Sequence, residues 1–163
     1  MSAVKKRLLL FLLSLGVVSG ALTWIWFQDL QVRYAMLFRA PAQFVFRQLG
    51  IHKSGLLLVI EHFTNLIPFI ALTVSLPGIN LKRRLARLGL GLAVLAAVHF
   101  ILIVAVSAVY NAYALSPTAY KYMFPLLTVN DALPLVLWFL LFSEEIIAMF
   151  RVKKRDAAVE PTP

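Results

Sequence analysis

Apolar residues fall into four long blocks along the chain, and charged residues gather between them. The blocks run from 8 to 27, from about 55 to 77, from about 88 to 115 and from about 126 to 150. A helix crossing the hydrocarbon core of a bilayer needs about 20 mostly apolar residues, and each block predicts one such span. No period-2 alternation persists over successive ten-residue stretches, which argues against a β-barrel. In the first block, Ser19-Gly20-Ala21 has the small residues of a leader cleavage site, but the apolar run continues through Trp24-Ile25-Trp26-Phe27. Aromatics suit the headgroup level, so a retained helix is expected in preference to a cleaved leader.

The connector 28–54 has many apolar residues interrupted by Arg33, Arg39 and Arg47. Arg39, Gln43 and Arg47 recur every four residues and share one helix face, with Phe38, Ala42, Val45, Phe46 and Leu49 largely on the other. Pro41 suits a first helical turn, where its missing N–H costs nothing. This pattern predicts an amphipathic helix over about 30–50, lying at the membrane interface. The competing reading is a fifth, distorted span, which the charge density argues against. The stretch 116–125 reads as an outer loop whose Tyr120, Tyr122 and Phe124 anchor at the bilayer edge. The expected architecture is an all-α polytopic membrane helix bundle of four transmembrane helices plus the interfacial helix. It forms one membrane domain over 1–155, followed by a disordered cytoplasmic tail over 156–163.

Composition agrees: 61% of the 163 residues are hydrophobic and 14% charged, too apolar for an ordinary soluble domain. The formal net charge of +9 is unevenly placed, with eleven of the 16 basic residues beside the N-terminus, between the second and third blocks, or after the fourth. The positive-inside bias then puts both termini in the cytoplasm, and the charge reports topology and not nucleic acid binding. The absence of cysteine excludes a disulfide scaffold, a thiolate metal site and a Cys nucleophile.

Ionisable groups inside apolar spans are costly unless paired or hydrated, and so mark candidate sites. Glu61, His62, Thr64 and Asn65 lie in the second block, His99 in the third, and Asn130 and Asp131 near the start of the fourth. Glu61 and Asn65 are one helical turn apart, and Pro68 beyond them favours a kink. At about 1.5 Å per residue, Glu61 lies roughly 9 Å from the outer end of its span. His99 lies near mid-depth and Asp131 near an outer end. The expected polar pocket therefore comprises Glu61, His62, Asn65, His99, Asn130 and Asp131. Glu61, His62, His99 and Asp131 have metal-ligating side chains, but no HExxH-like spacing supports a metal, and no nucleophile is partnered for catalysis. Hydrogen bonds that hold the helices together are the simplest role. Glu144 and Glu145 are placed either to pair with the Lys82–Arg87 segment, tying the second and fourth spans together, or to snorkel to headgroups, which is the simpler expectation. Gly89 and Gly91 permit close helix approach.

These residues, in this order, resemble the exosortase/archaeosortase family of multipass membrane sorting enzymes. Phe44-Val45-Phe46-Arg47-Gln48-Leu49-Gly50-Ile51 resembles the family's stretch ahead of its active-site helix, and Val59-Ile60-Glu61-His62-Phe63-Thr64-Asn65-Leu66 the segment that holds its Cys nucleophile. The basic loop Lys82-Arg83-Arg84 follows. The run from Gly91 to Ile103 then resembles the helix carrying the family's Asn and Arg, and that from Asn130 to Phe142 its last helix. In this register Phe63 stands at the Cys position, His99 at the Asn, Leu102 at the Arg, and Asn130 or Asp131 at the His. None of these residues supplies the family's chemistry. The resemblance implies a non-catalytic accessory protein of a sorting system in a bacterial inner membrane. Its partners would be membrane lipid and either a sorting enzyme or the transmembrane anchor of a substrate, with no cofactor or metal. The alternative is a divergent enzyme or metal-binding protein built on the Glu/His/Asp cluster.

Overall fold

The computed structural model describes residues 3–151, all of whose regular structure is helical. A first helix, α1 (Ala3–Ile25), runs through one π-helical turn, Trp26–Leu30, into α2 (Gln31–Leu37). Then come α3 (Arg39–Leu49), a short α4 (Leu56–Val59), a 3₁₀ stretch (Ile60–Asn65), α5 (Leu66–Ser75), α6 (Leu81–Tyr113) and α7 (Pro117–Arg151). Four continuous helical segments are long and apolar enough to cross a membrane: Lys5–Leu37, Leu56–Ser75, Leu81–Tyr113 and Pro117–Ala148. They match the four predicted blocks in order, with different ends.

The first segment is longer than the 8–27 block predicts. Residues 30–37, expected to open the interfacial helix, instead prolong the first long helix. Asp29 and Arg33 pair at i,i+4 on its exposed face, so the polar break carries its own compensation and the helix continues. The amphipathic helix is confined to α3. Its 11 residues span about 16 Å, too short for a crossing, so it is not a fifth span. Its faces divide as expected at Ala42 and Phe46, which are buried, and at Arg39, Gln43 and Arg47, which are exposed; Leu49 is exposed too. Gly50, at φ 65°, ends α3 in the left-handed conformation that L side chains resist.

The basic segment also reads differently in three dimensions. Pro77 holds Leu76 in an extended conformation and stops α5. The Asn80 side chain then accepts from the Lys82 N–H at 3.0 Å and caps α6. Lys82, Arg83, Arg84 and Arg87 therefore occupy the first turns of α6 and not a loop. The stretch 116–125 is likewise helical and not an outer loop. The Ser116 hydroxyl accepts from the Ala119 N–H at 3.3 Å and Pro117 takes the first helical position. Tyr120, Tyr122 and Phe124 thus ride on α7. The tail 156–163 lies outside the described residues.

Packing follows the chain's order, α1 against α5 and α6 against α7. Gly91 of α6 meets the buried Phe69 of α5; a Cβ there would come within 2.0 Å of the ring. Gly89 has open space around it. Glu144 and Glu145 pair with arginines instead of reaching away from them: Arg83 to Glu144 at 2.7 Å and Arg87 to Glu145 at 2.6 Å. Because the arginines sit on α6, the pairs join the third and fourth long helices, not the second and fourth. They also place anions beside the helix N-terminus, where the helix dipole favours them, and offset the cations there, which the dipole disfavours. Arg7, Pro77, Gly78, Glu145 and Ala148 line one recess, so the start of the first long helix and the end of the last share one end of the bundle.

Candidate functional site

Two prolines create the site. Pro68 has no N–H to give to the carbonyl four residues earlier, and the chain ahead of it is drawn into the 3₁₀ stretch Ile60–Asn65. Three successive carbonyls of that stretch accept side-chain hydrogen bonds. Gln31 Nε2 donates to Ile60 O at 2.9 Å, Thr64 Oγ1 to Glu61 O at 2.9 Å, and Asn130 Nδ2 to His62 O at 3.4 Å. Pro134, inside α7, likewise leaves the Asn130 carbonyl without its helical donor. Asn65 Nδ2 supplies the replacement at 2.9 Å.

That bond fixes the orientation of the Asn65 amide, because a carbonyl only accepts. Asn65 Oδ1 therefore faces His99 Nε2, 3.0 Å away, and accepts from it. The other ring nitrogen of His99, Nδ1, lies 2.9 Å from the Tyr34 hydroxyl. The arrangement fits one neutral tautomer, with the hydrogen on Nε2 and Nδ1 accepting from the phenol. A continuous chain thus runs from Tyr34 of α2 through His99 of α6 and Asn65 to the backbone of α7. His99 is fully buried and Asn130 is 1% exposed, and unpaired polar groups at such depth are costly.

An aromatic cluster closes over this chain. Phe63 stacks on the His99 ring with centroids 4.6 Å apart, and Tyr34 meets both rings edge-on at 5.5 and 5.7 Å. Beside it, His62 Nδ1 lies 3.0 and 3.1 Å from the two Asp131 carboxylate oxygens and donates to them. This pair is partly open, with side chains 30% and 49% exposed. His62 Nε2 makes no hydrogen bond to a described residue, so an oriented imidazole edge remains for an external group.

Of the six residues expected to form the pocket, the structure brings together His62, Asn65, His99, Asn130 and Asp131. Glu61 stands apart on an exposed position and joins through its carbonyl alone. Among the described residues, no group of three or more His, Asp or Glu side chains is placed to hold a metal ion. Gln31 and Tyr34 belong to the network, although the sequence pattern does not single them out. The available signal was the Asp29/Arg33 spacing, which carries the helix past its polar break and brings both residues inward. Chemically, Tyr34, His99 and Asn65 pair their polar groups with one another and with the Asn130 carbonyl, while Asn130 Oδ1 is buried without a hydrogen-bond partner among the described residues. This network contains no free nucleophile, whereas the His62–Asp131 pair can exchange hydrogen bonds with a ligand. No protein-family model, curated protein or solved structure matches the chain.

Proposed function

We propose that the chain is an integral protein of a bacterial inner membrane with both termini in the cytoplasm. We further propose that it acts without catalysis, as an accessory to an exosortase-type sorting system. Its role in this reading is to bind the sorting enzyme or the transmembrane anchor of a substrate, with His62 and Asp131 as the polar contact. Membrane placement draws support from the four long apolar helices and from the large apolar side chains they expose, among them Leu10, Val17, Phe124 and Leu140.

The observation that carries the non-catalytic part is the Phe63–His99 stack. In the register of the resemblance these two residues occupy the Cys and Asn positions, and the structure holds them in ring contact with both side chains fully buried. A phenyl ring fills the place a nucleophile would need, and Leu102, at the Arg position, is an apolar core residue. Such a site has no group to attack a peptide carbonyl.

Co-purification from native membranes tests the proposal. The full chain is expected to recover a sorting enzyme or an anchor-bearing substrate, and His62→Ala with Asp131→Ala to reduce that recovery while the protein stays folded. Recovery of neither partner class, or recovery unchanged in the double variant, counts against it.

A further inference from the structure

Two adjoining cavities flank the inner face of α3. The larger, about 450 Å³, is a slot lined mainly by apolar side chains, including Met36, Phe38, Phe46, Leu57 and the buried Ile103. Arg39 and Gln43 stand on its rim. The smaller, about 320 Å³, is more polar than the slot and basic, with Gln43, Arg47, His52 and Ser54 lining it beside Phe46 and Ile51, and it shares Gln43, Phe46 and Ser54 with the slot. Its volume and lining differ from the slot in the way the two ends of an amphiphile differ.

The two cavities also lie at different depths. The floor of the slot is Ile103 of α6, whereas the backbone N–H of His52, in the basic recess, donates to Asn111 of the same helix. Eight residues separate those points, about 12 Å along the helix toward its end. The basic recess is therefore the outer compartment and the apolar slot the inner one. Arg39 and Arg47 make no ion pair with any described residue, unlike Arg33, Arg83 and Arg87, and no carboxylate lines either cavity.

We propose that this paired cavity is a binding site for one anionic phospholipid, with its phosphate in the Arg47 recess and an acyl chain in the slot. The charge of the recess selects the anionic headgroup, since cations near a membrane surface attract anionic lipids. The slot selects the chain by burying its apolar surface, and its volume falls in the range of about 300–1,000 Å³ usual for ligand pockets. Gln43, on the face between the two arginines, sits where the compartments meet and supplies an amide donor to the glycerol-phosphate region. The proposal rests on the membrane placement above, but not on the sorting role.

The test uses the full chain, delipidated in detergent and then exchanged into nanodiscs of phosphatidylglycerol and phosphatidylcholine in equal parts, with bound lipid counted by native mass spectrometry. Wild type is expected to retain one phosphatidylglycerol in preference to phosphatidylcholine. Arg47→Gln is expected to lower that preference about fivefold, as is Gln43→Glu, whereas Arg47→Lys largely keeps it. Leu57→Trp, at a position 81% exposed and so safe for folding, fills the slot and is expected to displace both lipids. Soluble glycerol phosphate is expected not to compete, because it lacks the chain. Equal retention of the two lipids by wild type overturns the proposal, as does an Arg47→Gln variant that keeps the full preference. Carbonate extraction of native membranes separates this failure from the broader one: a wild-type chain that stays in the pellet yet shows no preference loses only the lipid site, whereas one that is extracted loses the membrane placement as well.

Discussion

One side chain of the buried network answers a backbone group that a proline has released, the Asn130 carbonyl freed by Pro134. Asn65 serves that carbonyl and a side chain at once, taking the hydrogen of His99 Nε2 and giving one of its own to the Asn130 carbonyl. Removing Asn65 therefore orphans a donor and an acceptor together, whereas Tyr34→Phe removes one donor and leaves only His99 Nδ1 without its partner. Asn65→Ala is expected to cost about 1–3 kcal/mol, and Tyr34→Phe nearer 1 kcal/mol, read as lowered unfolding midpoints in mixed micelles. Pro134→Ala restores an N–H aimed at the Asn130 carbonyl, so in that background the Asn65→Ala penalty is expected to shrink by about 1 kcal/mol. An unchanged penalty would show that the carbonyl is not the group Asn65 serves. The sequence made His99, Asn65 and Asn130 legible because polar residues are conspicuous in apolar runs. It did not make Tyr34 legible, because a tyrosine near a helix end reads equally well as an interfacial anchor, and only the continuation of the first long helix turns it inward.

Among the elements, α5, α6 and α7 are locked by contacts of two kinds. Gly91 lets the Phe69 ring of α5 lie against the α6 backbone, and nothing larger than hydrogen fits without displacing that ring. Gly91→Ala is expected to destabilise the fold by about 1–3 kcal/mol through overpacking. Gly89→Ala, with open space around it, is expected to be neutral or slightly stabilising through helix propensity. The contrast is checked by thermal stability of the two purified variants side by side. If Gly89→Ala proves as harmful as Gly91→Ala, the loss is not a matter of the Phe69 contact. The second lock is the Arg83/Arg87–Glu144/Glu145 set, in which Glu145 is 12% and Arg87 19% exposed at the side chain. The sequence supplied the charges of this lock but not the helix that carries them, since a basic run beside a proline and a glycine reads as a loop. Asn80 as cap and Ser116-Pro117 as a helix start were present in the sequence all along. Their signals are local and brief, and a hydropathy pattern averaged over about 20 residues passes over them.

At the scale of the whole molecule, the apolar blocks and the four long helices agree because burial in lipid and burial in protein both demand continuous apolar surface. Element ends are set by caps and charge pairs, which is why the helices outrun the blocks. With 33 residues, α6 is about 50 Å long against a hydrocarbon core of about 30 Å, so in the proposed membrane placement its basic first turns stand clear of the core. In the proposed orientation that end, which Arg7 shares with Glu145 and its partner Arg87, is the cytoplasmic one. Because the chain has no cysteine, any introduced thiol is unique, and topology can be read chemically. Leu81, at the start of α6, and Thr118, in the first turn of α7, are both exposed, at opposite ends of the bundle. In spheroplasts, a membrane-impermeant maleimide is expected to label the thiol of Thr118→Cys at once and that of Leu81→Cys only after permeabilisation. The reverse order would invert the orientation while keeping the four crossings. Labelling of both thiols from outside would mean that α6 does not cross, since a helix that spans the bilayer cannot present both of its ends to one compartment.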